Sequence, residues 1–333
     1  MAGIMRDTPE PGWGLVLLAR EPAALVLSHL AWHLDLGARE IHLYLDDPAD
    51  PAADAAANLP GVQITRCDDR FWQALAGARP ALQTRRQTLV ASHAYVRAGV
   101  DWLLHLDADE FVHAPAPVAA ELARHADFAG YLALPNLERA FTRADPACIF
   151  EGVFRRPLPR GAELPAALAH QEPFVVRGVC GHAAGKAISR TGQGYRLQPH
   201  APRLDGAQVP SRRANGLELL HFDGLTPLHW LLKLMRYAQH PPESWARFLG
   251  PHRRAQLEHV RENLADPHAL RAFHDRLKTC PEPEALTKVG LIDMLPFAPE
   301  TALRRWLAEM PDLSVAAFDA ALRAREPALC LGL

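Results

Sequence analysis

Cysteine is scarce in this sequence, and the few cysteines lie far apart. The 333 residues include five, none in a Cys-x-x-Cys pair: Cys67, Cys148, Cys180, Cys280 and Cys330. This spacing indicates neither a zinc site of the paired-cysteine kind nor a disulfide framework. The cysteine usage is therefore typical of a protein from a reducing compartment.

Long apolar runs and an excess of basic residues are also absent. No stretch approaches the ~18 consecutive apolar residues of a membrane span, and the N-terminus lacks the apolar core of a signal peptide. The formal net charge of −2 provides no general attraction to nucleic acid or anionic lipid. We therefore expect a cytoplasmic protein with no transmembrane segment and no nucleic-acid partner. Peripheral contact with a membrane stays open.

The sequence does contain an alternation of apolar strands and helices. Its composition, 49% hydrophobic and 22% charged, is that of a globular protein. A continuous apolar run at residues 14–19 predicts a buried strand, and Pro22 begins a predicted helix after it. Residues 41–45 and 62–66 are predicted to form the second and third strands. Strands and helices alternating at these lengths predict an α/β fold with a parallel, doubly wound sheet.

An acidic motif follows one of the predicted strands. Residues 103–112 read Leu-Leu-His-Leu-Asp-Ala-Asp-Glu-Phe-Val, so Asp107, Asp109 and Glu110 fall within four positions. If the chain stays extended, Asp107 and Asp109 project to the same side, roughly 6–7 Å apart at about 3.3 Å per residue. Two like charges this close favour a bound cation, and Mg²⁺ or Mn²⁺ prefers such oxygen donors. An acidic turn that caps the next helix is the simpler alternative.

The order of these pieces resembles the GT-A glycosyltransferases. Ala19-Arg20-Glu21 follows the first strand, Tyr44-Leu45-Asp46-Asp47 ends the second, and the Asp-x-Asp-Glu-Phe segment follows the later strand. Within that group, the sequence is most similar to bacterial family-2-like proteins related to family 92. The resemblance covers residues 12–236 and implies a GT-A (Rossmann-like) domain, with a mostly parallel sheet flanked by helices. Residues 237–333 would form a helical C-terminal region, on the acceptor side or for packing.

The resemblance also implies roles for side chains on the nucleotide side. Asp109 would bind the metal directly, and Asp107 would contact the metal, the donor ribose or both. Glu21 would lie near the nucleotide, and Asp46 occupies the position where such enzymes often hold the base or ribose. Arg20 departs from the Lys-Asn-Glu of many relatives, so the usual polar contact at that position is not predicted.

Two later segments would complete the site. His221, in Leu-Leu-His-Phe, resembles the His-Phe/Tyr segment that closes the sugar-nucleotide site in several GT-A families. Its imidazole could be a third metal ligand, which suits Mn²⁺ better than Mg²⁺. A buried histidine beside the sheet is the alternative. Lys186 supplies a point charge suited to a diphosphate, or is a surface lysine.

The sequence contains several candidates for proton transfer. An inverting transferase needs a group that takes the proton of the acceptor hydroxyl. Four carboxylates are candidates, the first two preferred: Glu110, Asp223, Glu138 and Asp145. Asp223 could instead be a turn residue before Gly224, and Glu110 a structural part of the motif. Most of the 17 histidines lie singly among polar residues, which is typical of surface groups.

These expectations combine into one function. The sequence favours a metal-dependent glycosyltransferase, with Mn²⁺ or Mg²⁺, that moves a sugar from a UDP- or GDP-linked donor to a glycan, a lipid-linked glycan or another hydroxyl acceptor. One alternative is a catalytically silent GT-A-like interaction module in a glycan-assembly complex. The other is a Mg²⁺-dependent phosphotransferase, against which Ala19-Arg20-Glu21 argues, because it contains neither a phosphate-cradling glycine loop nor a nucleophilic aspartate.

Overall fold

The computed structural model describes residues 10–245, 249–280, 283–288 and 290–330. Its strands are β1 (Trp13–Ala19), β2 (Glu40–Leu45), β3 (Val62–Arg66), β4 (Trp102–His105), β5 (Glu110–His113), β6 (Tyr131–Leu134), β7 (Asn136–Ala140), β8 (Val153–Arg155), β9 (Lys186–Arg190), β10 (Arg203–Leu204), β11 (Ala207–Gln208), β12 (Ser211–Arg213), β13 (Glu218–His221) and β14 (Ile292–Asp293). Its α-helices are α1 (Ala23–Asp35), α2 (Ala52–Ala56), α3 (Asp69–Ala76), α4 (Gln83–Arg97), α5 (Val118–Ala123), α6 (Pro227–Ala238), α7 (Pro242–Trp245), α8 (Pro251–Glu262), α9 (Pro267–Lys278), α10 (Pro283–Thr287), α11 (Glu300–Trp306) and α12 (Val315–Arg325).

The central sheet has the strand order β12-β6-β9-β4-β1-β2-β3. Strands β4, β1, β2 and β3 are parallel, whereas β9 runs antiparallel to β4 and β6. Leu15 and Leu17 of β1 pack with residues of α1, and Val16 and Leu18 pack with residues of α4 on the other face. Cover on both faces explains the continuous apolar run of β1. The predicted α/β fold, a mostly parallel sheet flanked by helices, is confirmed.

A second sheet, β14-β8-β7-β13-β5, begins where the acidic motif turns. The extended geometry considered for the motif does not occur, because β4 ends at His105 and β5 begins at Glu110. The Asp107 backbone N–H donates to Glu110 Oε2 at 2.8 Å, and the Glu110 N–H donates to the Asp107 carbonyl at 3.1 Å. These bonds close residues 107–110 into a turn, the acidic turn. Asp107 and Asp109 therefore do not share one face of a strand.

The C-terminal region is mainly helical, and it packs against the rest of the chain. Helix α11 contacts α1, and Phe318 and Leu322 of α12 join the apolar cluster on the α1 side of the central sheet. Strand β14 pairs with β8 and so extends the second sheet. The boundary predicted at residue 236 falls inside α6, and the division into two domains stays a prediction. Among the described residues, no helix has the length and apolar character that crossing a membrane requires.

Candidate functional site

Two lysines pair with the carboxylates of the acidic turn. Lys186 Nζ, from β9, lies 2.9 Å from Asp107 Oδ2 and 2.8 Å from Glu110 Oε2. Lys233 Nζ, from α6, lies 2.5 Å from Asp109 Oδ2. Each acid that the motif contributes is therefore in contact with an ammonium group.

Burial and these lysines act on the pKa values of the acids in opposite directions. Burial by itself would raise the pKa of Asp107 and of Asp109, but Lys186 and Lys233 outweigh it and hold both values well below the ordinary one. In turn, the carboxylates raise the pKa of both lysines, although burial would lower it. The aspartates of the acidic turn are thus ionised and in direct contact with the charged ammonium groups of Lys186 and Lys233.

Lys186 lies inside the protein, so the alternative of a surface lysine is wrong. Its side chain is 0% exposed, and β9 carries it to the end of the central sheet opposite Leu134 of β6. A buried ammonium group depends on its carboxylate partners. A diphosphate bound at Lys186 would therefore share it with Asp107 and Glu110, and this role stays a prediction.

Helix α4 connects the acidic turn to Asp46. Gln87 donates from Nε2 to Asp107 Oδ1, a role that the sequence did not indicate. The preceding residue, Arg86, donates from Nε to Asp46 Oδ2 at 3.1 Å, and Arg79 donates to the same oxygen at 2.7 Å. Asp46 Oδ1 is buried and has no hydrogen-bond partner within the described chain. It is an available acceptor close to the end of β2, and contact between Asp46 and a nucleotide stays a prediction.

Glu21 follows β1 and forms ion pairs with two residues of α6. Its Oε2 lies 3.1 Å from His229 Nε2, and its Oε1 lies 3.6 Å from the Arg236 guanidinium. Burial would raise the pKa of Glu21, but His229 and then Arg236 outweigh burial and lower the value to about 2. Contact between Glu21 and a nucleotide stays a prediction.

A second group of buried charges adjoins the acidic turn through Lys233, whose Nζ lies 3.8 Å from Asp223 Oδ1. Asp223 lies 3.2 Å from the Arg253 guanidinium and 3.5 Å from Lys278 Nζ, which is also 3.4 Å from Glu138. Burial would raise the pKa of Asp223, but Arg253 and Lys278 hold it well below its ordinary value. We refer to Glu138, Asp223, Arg253 and Lys278 as the buried charge network.

These contacts bear on the candidate catalytic bases. A carboxylate with a strongly lowered pKa is a poor proton acceptor, and Asp223 is only 1% exposed. Glu138 accepts two backbone N–H bonds at 2.7 and 2.6 Å, and Glu110 contacts Lys186. Asp145 is exposed and pairs with an arginine at 3.3 Å. Catalysis by Glu110 or Asp223 stays a prediction, and their ion pairs count against it.

Two histidines and Glu110 form a group with metal-ligating chemistry. His221 ends β13 and lies directly opposite Glu110 of β5, so strand pairing brings them together. The His182 ring stacks on that of His221 with centroids 4.6 Å apart. A potential ligand atom from each of the three residues lies within 4.8 Å of the other two.

The acidic turn can accommodate a divalent metal ion, but its best donor set differs from the predicted one. His221 Nε2 lies 3.9 Å from Asp109 Oδ2, the oxygen that Lys233 contacts more closely. By contrast, Glu110 Oε1 and His221 Nδ1 are buried without hydrogen-bond partners in the described residues. Buried acceptors left in this way fit a cation. Metal binding by Asp107, Asp109 and His221 together stays a prediction.

Sequence reasoning did not identify His182 or Lys233. His182 lies in an irregular segment between Gly181 and Ala183, where no local pattern distinguishes it from a surface histidine. Lys233 carries one available signal, because it interrupts the apolar run of α6 between Leu232 and Leu234. The expectation that most histidines lie at the surface also fails at several positions, because His29, His33, His42, His105, His221, His229 and His274 are buried.

Comparisons with known proteins add little to this geometry. No protein-family model matches the chain, and no curated protein matches it. Among 145 matching chains of solved structures, S. aureus TarS 1-349 is 11% identical, with 84% of this chain and 79% of that chain covered, at a TM-score of 0.31. Another S. aureus TarS structure is 10% identical, with 77% of this chain and 44% of that chain covered, at a TM-score of 0.30. Superpositions this weak carry no argument.

Proposed function

We propose that the chain is a metal-dependent glycosyltransferase that moves a sugar from a UDP- or GDP-linked donor to a hydroxyl acceptor, such as a glycan or lipid-linked glycan. One observation carries the proposal: the parallel strands β1, β2 and β4 lead, at one edge of the sheet, to Glu21, Asp46 and Asp107. Open α/β sheets bind their ligands at the carboxyl ends of the strands. Helix α4, which holds both Asp46 and Asp107, joins two of these acids into one site.

The charge balance of the acidic turn supports the use of a metal. Its three carboxylates, Asp107, Asp109 and Glu110, are paired with two ammonium groups, Lys186 and Lys233. Three negative and two positive charges leave one negative charge, which would repel a diphosphate. A divalent cation would reverse that balance to one positive charge and attract the donor.

In the proposed site, protein side chains would bind and position the donor, and the metal would stabilise developing negative charge. Asp46 Oδ1 would accept a hydrogen bond from the donor's base or ribose, because it is buried and has no other partner in the described chain. Gln87 would hold the Asp107 carboxylate in position. The metal, when bound, would supply Lewis-acid stabilisation of the negative charge that develops on the leaving diphosphate.

Release of nucleotide diphosphate from a panel of nucleotide sugars tests the proposal. We expect UDP or GDP release with Mn²⁺ and acceptor, and loss of release when a chelator removes the metal. In calorimetric titrations, Asp46→Ala should weaken UDP or GDP binding about tenfold, because it removes a hydrogen-bond acceptor. Asp54→Ala is the matched control, because Asp54 is an exposed acid of α2. Absence of metal-dependent binding of either nucleotide would contradict the proposal.

The two alternatives give different results in the same experiments. A silent interaction module would bind the nucleotide diphosphate but release none from any nucleotide sugar. A phosphotransferase would consume a nucleoside triphosphate without a nucleotide sugar. The weak similarity to TarS does not support any of these choices, so the assays decide. A cytoplasmic location and peripheral membrane contact stay predictions.

A further inference from the structure

The metal-ligating group is built from three separate parts of the fold. Glu110 begins β5, His221 ends β13, and His182 comes from the irregular segment before β9. Their potential ligand atoms lie within 4.8 Å of one another. Because bonds from a transition metal to imidazole and carboxylate are about 2.0–2.2 Å long, small side-chain movements would let one ion contact all three.

The hydrogen bonds of His182 fix which of its nitrogens faces Glu110. Its Nδ1 is hydrogen-bonded to the Ala184 carbonyl, which can only accept, so Nδ1 carries a proton. In the neutral ring, Nε2 is then unprotonated and carries a lone pair. It lies 3.4 Å from Glu110 Oε1. Two acceptors that face each other at this distance need a cation between them, either a proton or a metal ion. Metal-binding histidines are commonly oriented by such an Nδ1–H bond to a carbonyl.

Glu110 uses only one of its two oxygens for hydrogen bonds within the described residues, and the other, Oε1, faces His182 Nε2 at 3.4 Å. Its Oε2 accepts from Lys186 Nζ and from the Asp107 backbone N–H, both at 2.8 Å. Its Oε1 is buried without a hydrogen-bond partner there, as is His221 Nδ1. The Glu110 side chain is 0% exposed, so the unpaired oxygen is shielded from bulk water. A bound cation would recover the free energy that such an unpaired atom costs.

We propose that Glu110, His182 and His221 bind one divalent transition-metal ion. Two imidazole nitrogens and one carboxylate oxygen favour Mn²⁺, Fe²⁺, Co²⁺ or Zn²⁺ over Mg²⁺, which prefers oxygen donors. This inference rests on the proposed function for the use of the metal, and it replaces Asp107 and Asp109 in the ligand set. The two aspartates instead form ion pairs with Lys186 and Lys233.

Metal titration of the full chain, without any nucleotide, tests the ligand set. We expect Co²⁺ to give a visible d–d absorption and Mn²⁺ to lose its free-ion paramagnetic resonance signal, with excess Mg²⁺ displacing neither. His182→Ala should weaken binding at least about 100-fold, because even the loss of a hydrogen bond to a ligand costs about 10–100-fold. Its side chain is 26% exposed, so this variant should keep its fold, which thermal melting verifies.

Two further variants separate this site from its neighbours. Asp109→Asn should bind Co²⁺ within a few-fold of the wild type, because Asp109 holds Lys233 rather than the metal. His200→Ala is the matched control, because its ring touches the edge of the His182 ring, with centroids 4.6 Å apart, and His200 is outside the group. Affinity that falls in either variant as far as in His182→Ala would overturn the ligand set.

Other outcomes also decide the proposal. Unchanged Co²⁺ affinity in His182→Ala would overturn it. So would absence of Co²⁺ binding together with an imidazolium signature of His182 in nitrogen NMR, because a proton would then lie between His182 and Glu110. Failure here is distinct from failure of the proposed function: metal bound at this group without any binding of nucleotide diphosphate would contradict only the transferase.

Discussion

The N-terminal half of the central sheet and the buried charge network are stabilised by opposite means. Strand β1 is apolar and buried along its whole length, and it packs on both faces. The network instead places two carboxylates in the interior beside Lys278 and Arg253. Apolar packing is spread over many weak contacts, whereas a buried charge depends on a few partners. The network should therefore be far more sensitive to the loss of one side chain.

Lys278→Met is expected to lower the free energy of unfolding more than the other substitutions considered. The substitution keeps most of the side-chain volume but leaves Glu138 and Asp223 with one cation fewer in the interior. We expect the free energy of unfolding to fall by about 3–5 kcal/mol, as for other broken buried ion pairs. Urea denaturation monitored by circular dichroism measures it.

An exposed ion pair of the N-terminal half provides the matched control. Arg66 and Asp54 lie 2.8 Å apart, and their side chains are 43% and 86% exposed. Arg66→Met should cost less than about 1 kcal/mol, because solvent screens the pair. If Arg66→Met and Lys278→Met lowered the free energy of unfolding equally, the contrast between the two regions would be wrong.

Gly185→Ala should lower the free energy of unfolding by less than Lys278→Met does. This variant tests whether close backbone packing at Gly185 places Lys186 beside the acidic turn. A Cβ atom at Gly185 would lie 1.6 Å from the Leu134 carbonyl oxygen, which belongs to β6. The strands would have to separate, at a cost of about 2–3 kcal/mol in the free energy of unfolding. Gly12→Ala, whose nearest neighbouring atom would be 3.5 Å away, is the control measured by the same denaturation. Equal free energies of unfolding for Gly185→Ala and Gly12→Ala would contradict the predicted clash at Gly185.

The smallest expected effect is a pH-dependent contribution of Glu21 to stability. Glu21 follows β1 and forms ion pairs with His229 and Arg236 of α6. Its folded pKa of about 2 lies below its ordinary value of 4.5, because His229 and Arg236 outweigh burial. Its ionised form therefore contributes stability that is complete above about pH 4.5 and is lost as the pH falls towards 2. Glu21→Gln should be less stable than the wild type near neutral pH, and the difference should shrink over that range. Thermal melting at a series of pH values measures it, and a difference independent of pH would contradict it.

The sequence predicted the strands of the parallel sheet well, and β1 has the clearest signal, because a strand buried on both faces leaves a continuous apolar run. Strand β3 was predicted with the bounds that the structure has, and β1 and β2 within one residue. The acidic motif was predicted to be a site, which stays a prediction, and spacing left both an extended strand and a turn open for its shape. A turn closed by the Glu110 side chain cannot be distinguished from an extended strand by spacing alone, because both put three acids within four positions.

What the sequence by itself determined is the set of strand ends at which polar residues collect: Glu21 after β1, Asp46 after β2 and the acidic turn after β4. Local periodicity contains that information. Only the tertiary structure decided the partners of those acids, because Lys186, Lys233 and His182 come from segments far along the chain. Pairing of buried charges depends on which side chains share the same low-dielectric space, and no local pattern records that.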